Sequence, residues 1–147
     1  MAVTRSRVNM QSSDTRNIVG LKEHNVPAAF CDAVRIELAE YVQLHISGQT
    51  PVDDDGNLVS GDMKAQTGQV LARIKRIVEH EGGTMADIVR FRVYCTDISP
   101  QALRQVHEAR NEVFGENERP ASTLVQISGI IRAGALIEID ADAVIDR

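Results

Sequence analysis

Ile137-Glu138-Ile139-Asp140-Ala141-Asp142-Ala143-Val144, near the C-terminus and preceded by Leu136, alternates apolar and acidic residues at every step until its last pair. Successive side chains of a strand point to opposite faces, so this period of two reads as a β-strand with one greasy face and one charged face. Arg119-Pro120-Ala121-Ser122-Thr123 opens a second strand of the same kind, whose polar residues include Ser122 and Gln126. A sheet normally hides one face under helices. The other face meets water or a second subunit, and in the latter case a ligand can sit between subunits.

Working outward, period two recurs over residues 33–38, 41–47 and 89–96, and the final strands run near 121–128 and 135–145. Ala39-Glu40 is a tight hairpin between the first two, although it lacks the glycine such turns favour. In residues 89–96, Val89, Phe91, Val93 and Cys95 are expected to face one way and Arg90, Arg92, Tyr94 and Thr96 the other. A helix starts near residues 60–62, because Val70, Leu71, Ile74, Ile77 and Val78 follow the 3.6-residue repeat. Gly82-Gly83 ends it. A second helix has Ser99 as N-cap and Pro100 at its first position, an inner stripe through Leu103, Val106 and Ala109 or Arg110, and Gly115 as its close. The order is ββαβαββ, an α+β two-layer arrangement in a single domain over residues 28–147. Residues 1–27 read as a polar N-terminal arm, with room for one short strand.

Composition narrows the function. The 147 residues form one ordinary domain with enough apolar content, 43%, for a real core. A net charge of −5 without a basic run is wrong for phosphate neutralisation, and 3% aromatics leave no platform for stacking bases, so no nucleic-acid partner is expected. Nothing approaches a membrane span or a signal peptide, which points to a cytoplasmic protein with no membrane partner. The two cysteines, Cys31 and Cys95, belong to no metal or redox spacing, and both are expected as reduced thiols.

The second strand faces carry Arg35 and Glu37, Gln43 and His45, Arg90, Arg92 and Tyr94, Ser122, Leu124 and Gln126, and Glu138, Asp140 and Asp142. Pattern leaves a water-washed face and a subunit interface equally open. The three acids share a face, but neighbours on it stand about 6.6–7 Å apart, too far for one ion to use all three easily. Pairing with Arg90 and Arg92 is the plainer reading. His45 reads as structural and His107 as a packed or capping residue. Ser122 has no G-x-S-x-G context and no histidine partner, and no phosphate loop is present.

Several motifs together resemble the Rid (YjgF) family over about residues 28–145. They are Ser47-Gly48-Gln49-Thr50-Pro51, Gly82-Gly83-Thr84-Met85-Ala86-Asp87-Ile88-Val89, Val93-Tyr94-Cys95-Thr96-Asp97-Ile98, Pro120-Ala121-Ser122-Thr123 and Leu136-Ile137-Glu138-Ile139-Asp140-Ala141. The resemblance implies a chorismate-mutase-like fold, with a mixed sheet and two helices on one face. It also implies a homotrimer whose sheets form an inner barrel, with small-molecule sites in clefts between subunits. The activity implied is hydrolysis of enamines and imines such as 2-aminoacrylate to a keto acid and ammonia, with no cofactor and no metal. Glu138 matches the family's water-positioning acid and Gly48 its ligand-approaching glycine. Tyr94 stands where an aromatic lines the cleft.

The chain departs from the family at the start of the fifth strand. Active members read Pro-Ala-Arg there, the arginine clamping a carboxylate, and this chain has Ser122. Leu124 stands in place of the family's cysteine, and Ala33 in place of a site tyrosine. A hydroxyl cannot replace a bidentate guanidinium. Arg92 and Arg119 are the candidates to compensate, while Ser122 and Thr123 would hydrogen-bond a neutral or differently placed oxygen. The expected site is therefore Glu138 and Ser122 as catalytic residues, with Gly48, Arg92, Tyr94, Arg119, Thr123 and Leu124 binding substrate. A non-catalytic trimer that binds a metabolite or protein is the rival reading.

Overall fold

The computed structural model describes residues 3–10, 21 and 25–147. Its elements are β1 (Thr4–Val8), β2 (Ala33–Glu37), β3 (Tyr41–Gln49), α1 (Met63–His80), β4 (Ile88–Cys95), α2 (Pro100–Asn111), β5 (Ala121–Gln126) and β6 (Ile137–Asp146). All six strands join one sheet in the order β1-β2-β3-β6-β4-β5. Every pairing is antiparallel except β4 with β5, the two strands that α2 connects. The N-terminal arm thus supplies an edge strand, giving six strands where the repeat pattern marks five; the rest of the arm lies outside the described residues.

The helices form where their caps allow. Asp62 accepts a hydrogen bond from Ala65 N at 3.0 Å and so satisfies a free amide of the first turn of α1. Gly82 takes the left-handed conformation (φ 90°) just past the helix, and Gly83 N returns to Val78 O at 2.9 Å. In α2, Ser99 Oγ accepts from Ala102 N at 3.3 Å, with Pro100 beginning the helix. The helix ends at Asn111, with a last bond from Phe114 N to Arg110 O at 3.0 Å, and Gly115 instead begins a short 3-10 turn. α1 packs over β3 and β6 and beside α2. Between these layers lie Leu44, Val70, Leu71, Ile74, Phe91, Val93, Ile137 and Ile139, all essentially inaccessible to water. The Phe91 ring meets Phe114 edge-on, with centroids 5.6 Å apart.

Three assignments of strand faces are corrected by the pairing. On β2, Arg35 lies opposite Leu44 and Glu37 opposite Val42, so both charged residues face the helices, and Val34 and Ile36 lie on the open side beside His45 and Gln43. Alternation carries no sign, and the long Arg35 stem reaches Glu81 Oε2 at 3.1 Å and Glu81 O at 3.3 Å, at the negative end of α1. On β4, the register with β6 shifts between Ile88 and Arg90, so Val89 bulges outward and Ile88 takes its place in the core. On β5, the parallel register sets Ser122 beside Phe91 and Leu124 beside Val93, which puts Ser122, Leu124 and Gln126 on the helix side of the sheet. They are therefore not on the face shared by Arg92, Tyr94 and Glu138.

Phe91 is fully buried in this core, against Phe114. Replacing Phe91→Ala should lower unfolding stability in urea by about 3–5 kcal/mol, since the cavity it leaves cannot close around the rigid strand.

Candidate functional site

The face away from the helices is built by β3, β6 and β4. Along β6 it presents Glu138, Asp140 and Asp142. On β4, Tyr94 lies opposite Glu138, Arg92 opposite Asp140 and Arg90 opposite Asp142. On β3, His45 lies opposite Asp142, and the register then breaks between Ile46 and Gln49, so that Ser47 and Gly48 bulge where one partner would sit. A cavity of about 530 Å³ opens here, lined among others by Val34, His45, Gly48, Arg92 and Glu138.

Most of the charge on this face is already matched. Arg92 Nη1 donates to Asp142 Oδ2 at 2.9 Å, and Arg92 Nε stands 2.6 Å from Asp140 Oδ1 in an ionic contact too poorly aligned for a hydrogen bond. His45 Nδ1 lies 2.8 Å from Asp142 Oδ1, and Tyr94 Oη donates to Asp140 Oδ2 at 3.2 Å. Burial pushes the Asp142 carboxyl up, but the hydrogen bonds from Arg92 and His45 outweigh it and hold the group below the usual aspartate range. The hydrogen bond to Asp142 raises Arg92 against the opposing effect of burial. Burial, and then the Asp140 charge, raises the Tyr94 phenol, so it stays a proton donor.

Glu138 is the exception. It is half-buried and takes no hydrogen bond or ion pair from any described residue. Burial raises its pKa first, and the neighbouring Asp140 charge raises it further. Its carboxylate lies flat against Gly48. A β-carbon there would collide with Oε1 and stand only 3.0 Å from Cδ, so glycine leaves the carboxylate room to lie here and any other residue would push it aside. A carboxyl poised to exchange a proton, facing a cavity and next to an open backbone, is suited to general acid–base work.

The predicted residues fall into three groups. Gly48, Arg92 and Glu138 meet in the open-face cavity. Tyr94 and Thr123 share that face outside the cavity, Thr123 accepting from Arg90 Nη2 at 3.2 Å. The anticipated partnership of Arg90 with an acid is thus replaced by one with a hydroxyl. Arg119, Ser122 and Leu124 line a separate cavity of about 600 Å³ on the helix side of β5, together with His107 and Arg110. Ser122 and Glu138 of one chain cannot act on one molecule, because the sheet stands between them.

Two residues were not marked by sequence pattern. His45 reads as structural until β3 pairs with β6 and sets it against Asp142. Arg110 reads as a helix-stripe position, yet its Nη1 donates to Ser122 Oγ at 3.0 Å. Cys95 is fully buried, which pushes its thiol up to about 11 and leaves it protonated near neutrality. Among the described residues, no group of three His, Cys, Asp or Glu side chains could hold a metal ion. Nor is any helix long and apolar enough to cross a membrane.

Comparison with known proteins agrees with this fold. The family model described as Endoribonuclease L-PSP matches residues 23–145. A RutC family protein of Pyrococcus horikoshii is 41% identical over 101 residues, covering 68% of this chain and 77% of that protein. A crystal structure from Mycobacterium tuberculosis, a member of the YjgF/YER057c/UK114 family, superposes with a TM-score of 0.69 at 31% identity, covering 95% of this chain and 98% of the other. A Rid-family protein of unknown function from Yersinia pestis superposes with a TM-score of 0.74 at 27% identity, over 95% of this chain and 98% of that one.

The two perturbed acids predict opposite effects on stability. With its pKa raised, Glu138 favours the folded state while protonated and opposes it once ionised. Glu138→Gln should therefore raise the urea midpoint at pH 7, and the gain should fade as the pH falls through the raised pKa and be gone below about 4, the ordinary glutamate range. With its pKa lowered, Asp142 stabilises the fold above the usual aspartate range and loses that effect in acid. Asp142→Asn should therefore lower the midpoint at pH 7, and the loss should shrink as the pH falls below about 4, the ordinary aspartate pKa, toward the lowered pKa of the folded state. Paired urea titrations across pH check both.

Proposed function

Since the chain belongs to the Rid (YjgF) family, whose model carries the description Endoribonuclease L-PSP, and has that family's chorismate-mutase-like α+β fold, we propose that it hydrolyses a small enamine or imine and releases ammonia. The observation that carries this reading is Glu138, an unpaired carboxylate of raised pKa pressed against Gly48 in a substrate-sized cavity. In the proposed reaction the enamine first takes a proton at carbon and becomes an iminium ion. Glu138 removes a proton from water as its oxygen bonds to the C=N carbon. The same carboxyl then returns that proton to nitrogen, and the C–N bond breaks as the hydroxyl gives up its proton and the carbonyl forms, which balances the proton first taken at carbon. The products are a keto compound and ammonia, and the water supplies the oxygen. A raised pKa serves both halves, because one group must accept and then donate near neutral pH.

The cavity is open on one side, and the face around it is not uniformly polar. Val34 and Ile36 stand in it, and Val125 and Ile131 are 43% and 59% exposed. Such a mixed face supports a homotrimer in which neighbouring copies cover one another's open faces. The cleft would then combine Glu138 and Gly48 of one copy with the β5 edge of the next, where Ser122, Thr123, Leu124 and Arg119 lie. The substrate would be a 2-aminoacrylate-like compound or an aminomuconate-type enamine. RNA cleavage, which the family description names, fits poorly with a net charge of −5 and an acidic stripe at the cavity. A non-catalytic binding trimer is favoured by one observation, the serine at position 122.

The test measures ammonia and keto acid from enzymatically generated 2-aminoacrylate and from conjugated enamines. Wild type should exceed the spontaneous rate, and Glu138→Gln should lose about 10²–10⁴-fold while sedimenting unchanged. Wild-type release at the spontaneous rate would remove the enzyme and leave the binding trimer, and an equal, accelerated rate in the variant would remove Glu138 from the reaction. Sedimentation should give three times the 16.1 kDa chain mass.

A further inference from the structure

Arg110 lies in the last turn of α2 and is only 9% exposed, the one arginine among the described residues that is fully buried. A buried cation ordinarily has an anion beside it, because its hydration must be replaced. Arg35 and Arg92 follow this rule, each holding two carboxylates. Arg110 does not: no described acid lies within ion-pair distance. Its contacts are the Ser122 hydroxyl at 3.0 Å and the Phe91 ring, 5.4 Å below the guanidinium carbon. A guanidinium has five N–H donors, and here one is used. Burial accordingly lowers its pKa, although it remains charged at any ordinary pH.

The surroundings match this unmet demand. The cavity of about 600 Å³ beside Arg110 has Arg119 and His107 on its wall and no acidic residue in its lining, while Phe114 and Leu124 give it apolar sides. Ser122 Oγ accepts from Arg110 and is exposed, so its own hydrogen is free to point into the cavity. Accepting from a cation makes that hydroxyl a stronger donor. Two donors thus converge on one point, with a greasy wall beyond.

The geometry points to a carboxylate-binding site on the helix side of β5, in which Arg110 supplies the guanidinium and Ser122 the hydroxyl for a small organic monoanion. One fork and one hydroxyl match the two oxygens of a planar carboxylate, and inorganic phosphate is the control anion. The site stands on geometry alone. It rests on the deaminase reading only for what the carboxylate is attached to: if β5 of one copy closes the Glu138 cavity of the next, the substrate is an enamine or imine bearing a carboxylate, and its acid end is gripped from a helix.

Isothermal titration calorimetry on the full chain tests this with pyruvate, with the neutral pyruvamide and with inorganic phosphate. Wild type should bind pyruvate, and pyruvamide at least tenfold more weakly. Arg110→Gln should lose at least tenfold in pyruvate affinity and Ser122→Ala a few-fold. Leu124→Glu keeps Arg110 but lays an internal carboxylate beside it, and should abolish binding even if Arg110→Gln folds poorly; melting curves confirm that it folds. Glu138→Gln should bind pyruvate at least as tightly as wild type, having lost a negative charge, while losing ammonia release, which separates the anion site from the deaminase reading. The site is overturned if wild type does not bind pyruvate, if pyruvamide or phosphate binds as tightly, or if Arg110→Gln and Leu124→Glu retain wild-type affinity.

Discussion

Two helices cover only one face of a six-stranded sheet, and the chemistry of this protein follows from that shortage. β6 shows it most plainly: Ile137, Ile139, Ala141, Ala143 and Ile145 are buried, while Glu138, Asp140 and Asp142 alternate with them on the uncovered side. A one-residue slip of β6 would drive three carboxylates under α1, so the packing that stabilises the fold also fixes the acids in place. The hydrophobic layer and the charged layer are one constraint seen from two sides.

Much of the architecture was legible in the sequence because local rules and packing agree. The N-cap Ser99, the terminating Gly82 and the Ala39-Glu40 turn are local, and each lies where its chemistry puts it. What was not legible required a partner strand. Period two separates Arg35 from Val34 but does not say which goes inward. The answer depends on β3, and on Arg35 reaching the end of α1. Val89 fits an alternating pattern perfectly and is nonetheless expelled, since a bulge is a property of two strands. Ser122 follows the same logic: only its register with Phe91 reveals which side of the sheet it serves.

The site was legible to a similar depth. Glu138 and Gly48 were expected together, and they touch. Sequence pattern marks Arg92 and Arg119 as the compensating cations. Arg92 is held by Asp140 and Asp142, and the buried guanidinium next to Ser122 comes from a helix position that had been counted as part of an apolar stripe. A long charged side chain can pass for a hydrophobic one in a periodic pattern, because its stem packs and its head is what matters. With Asp140 and Asp142 tied to Arg92, Glu138 remains the acid on that face whose proton is free to move.

The short N-terminal strand has a consequence of its own. By pairing along all five residues of β2, β1 occupies backbone donors and acceptors that would otherwise run bare down one side of the molecule. Bare backbone of that kind invites unrelated chains to zip on and grow into fibres. The new margin is short and carries Arg5 and Arg7, both exposed, whose repulsion discourages a second margin of the same kind from docking. The first few residues therefore act as a selvedge on a fabric: they add little to the pattern, and they keep it from being woven into its neighbours.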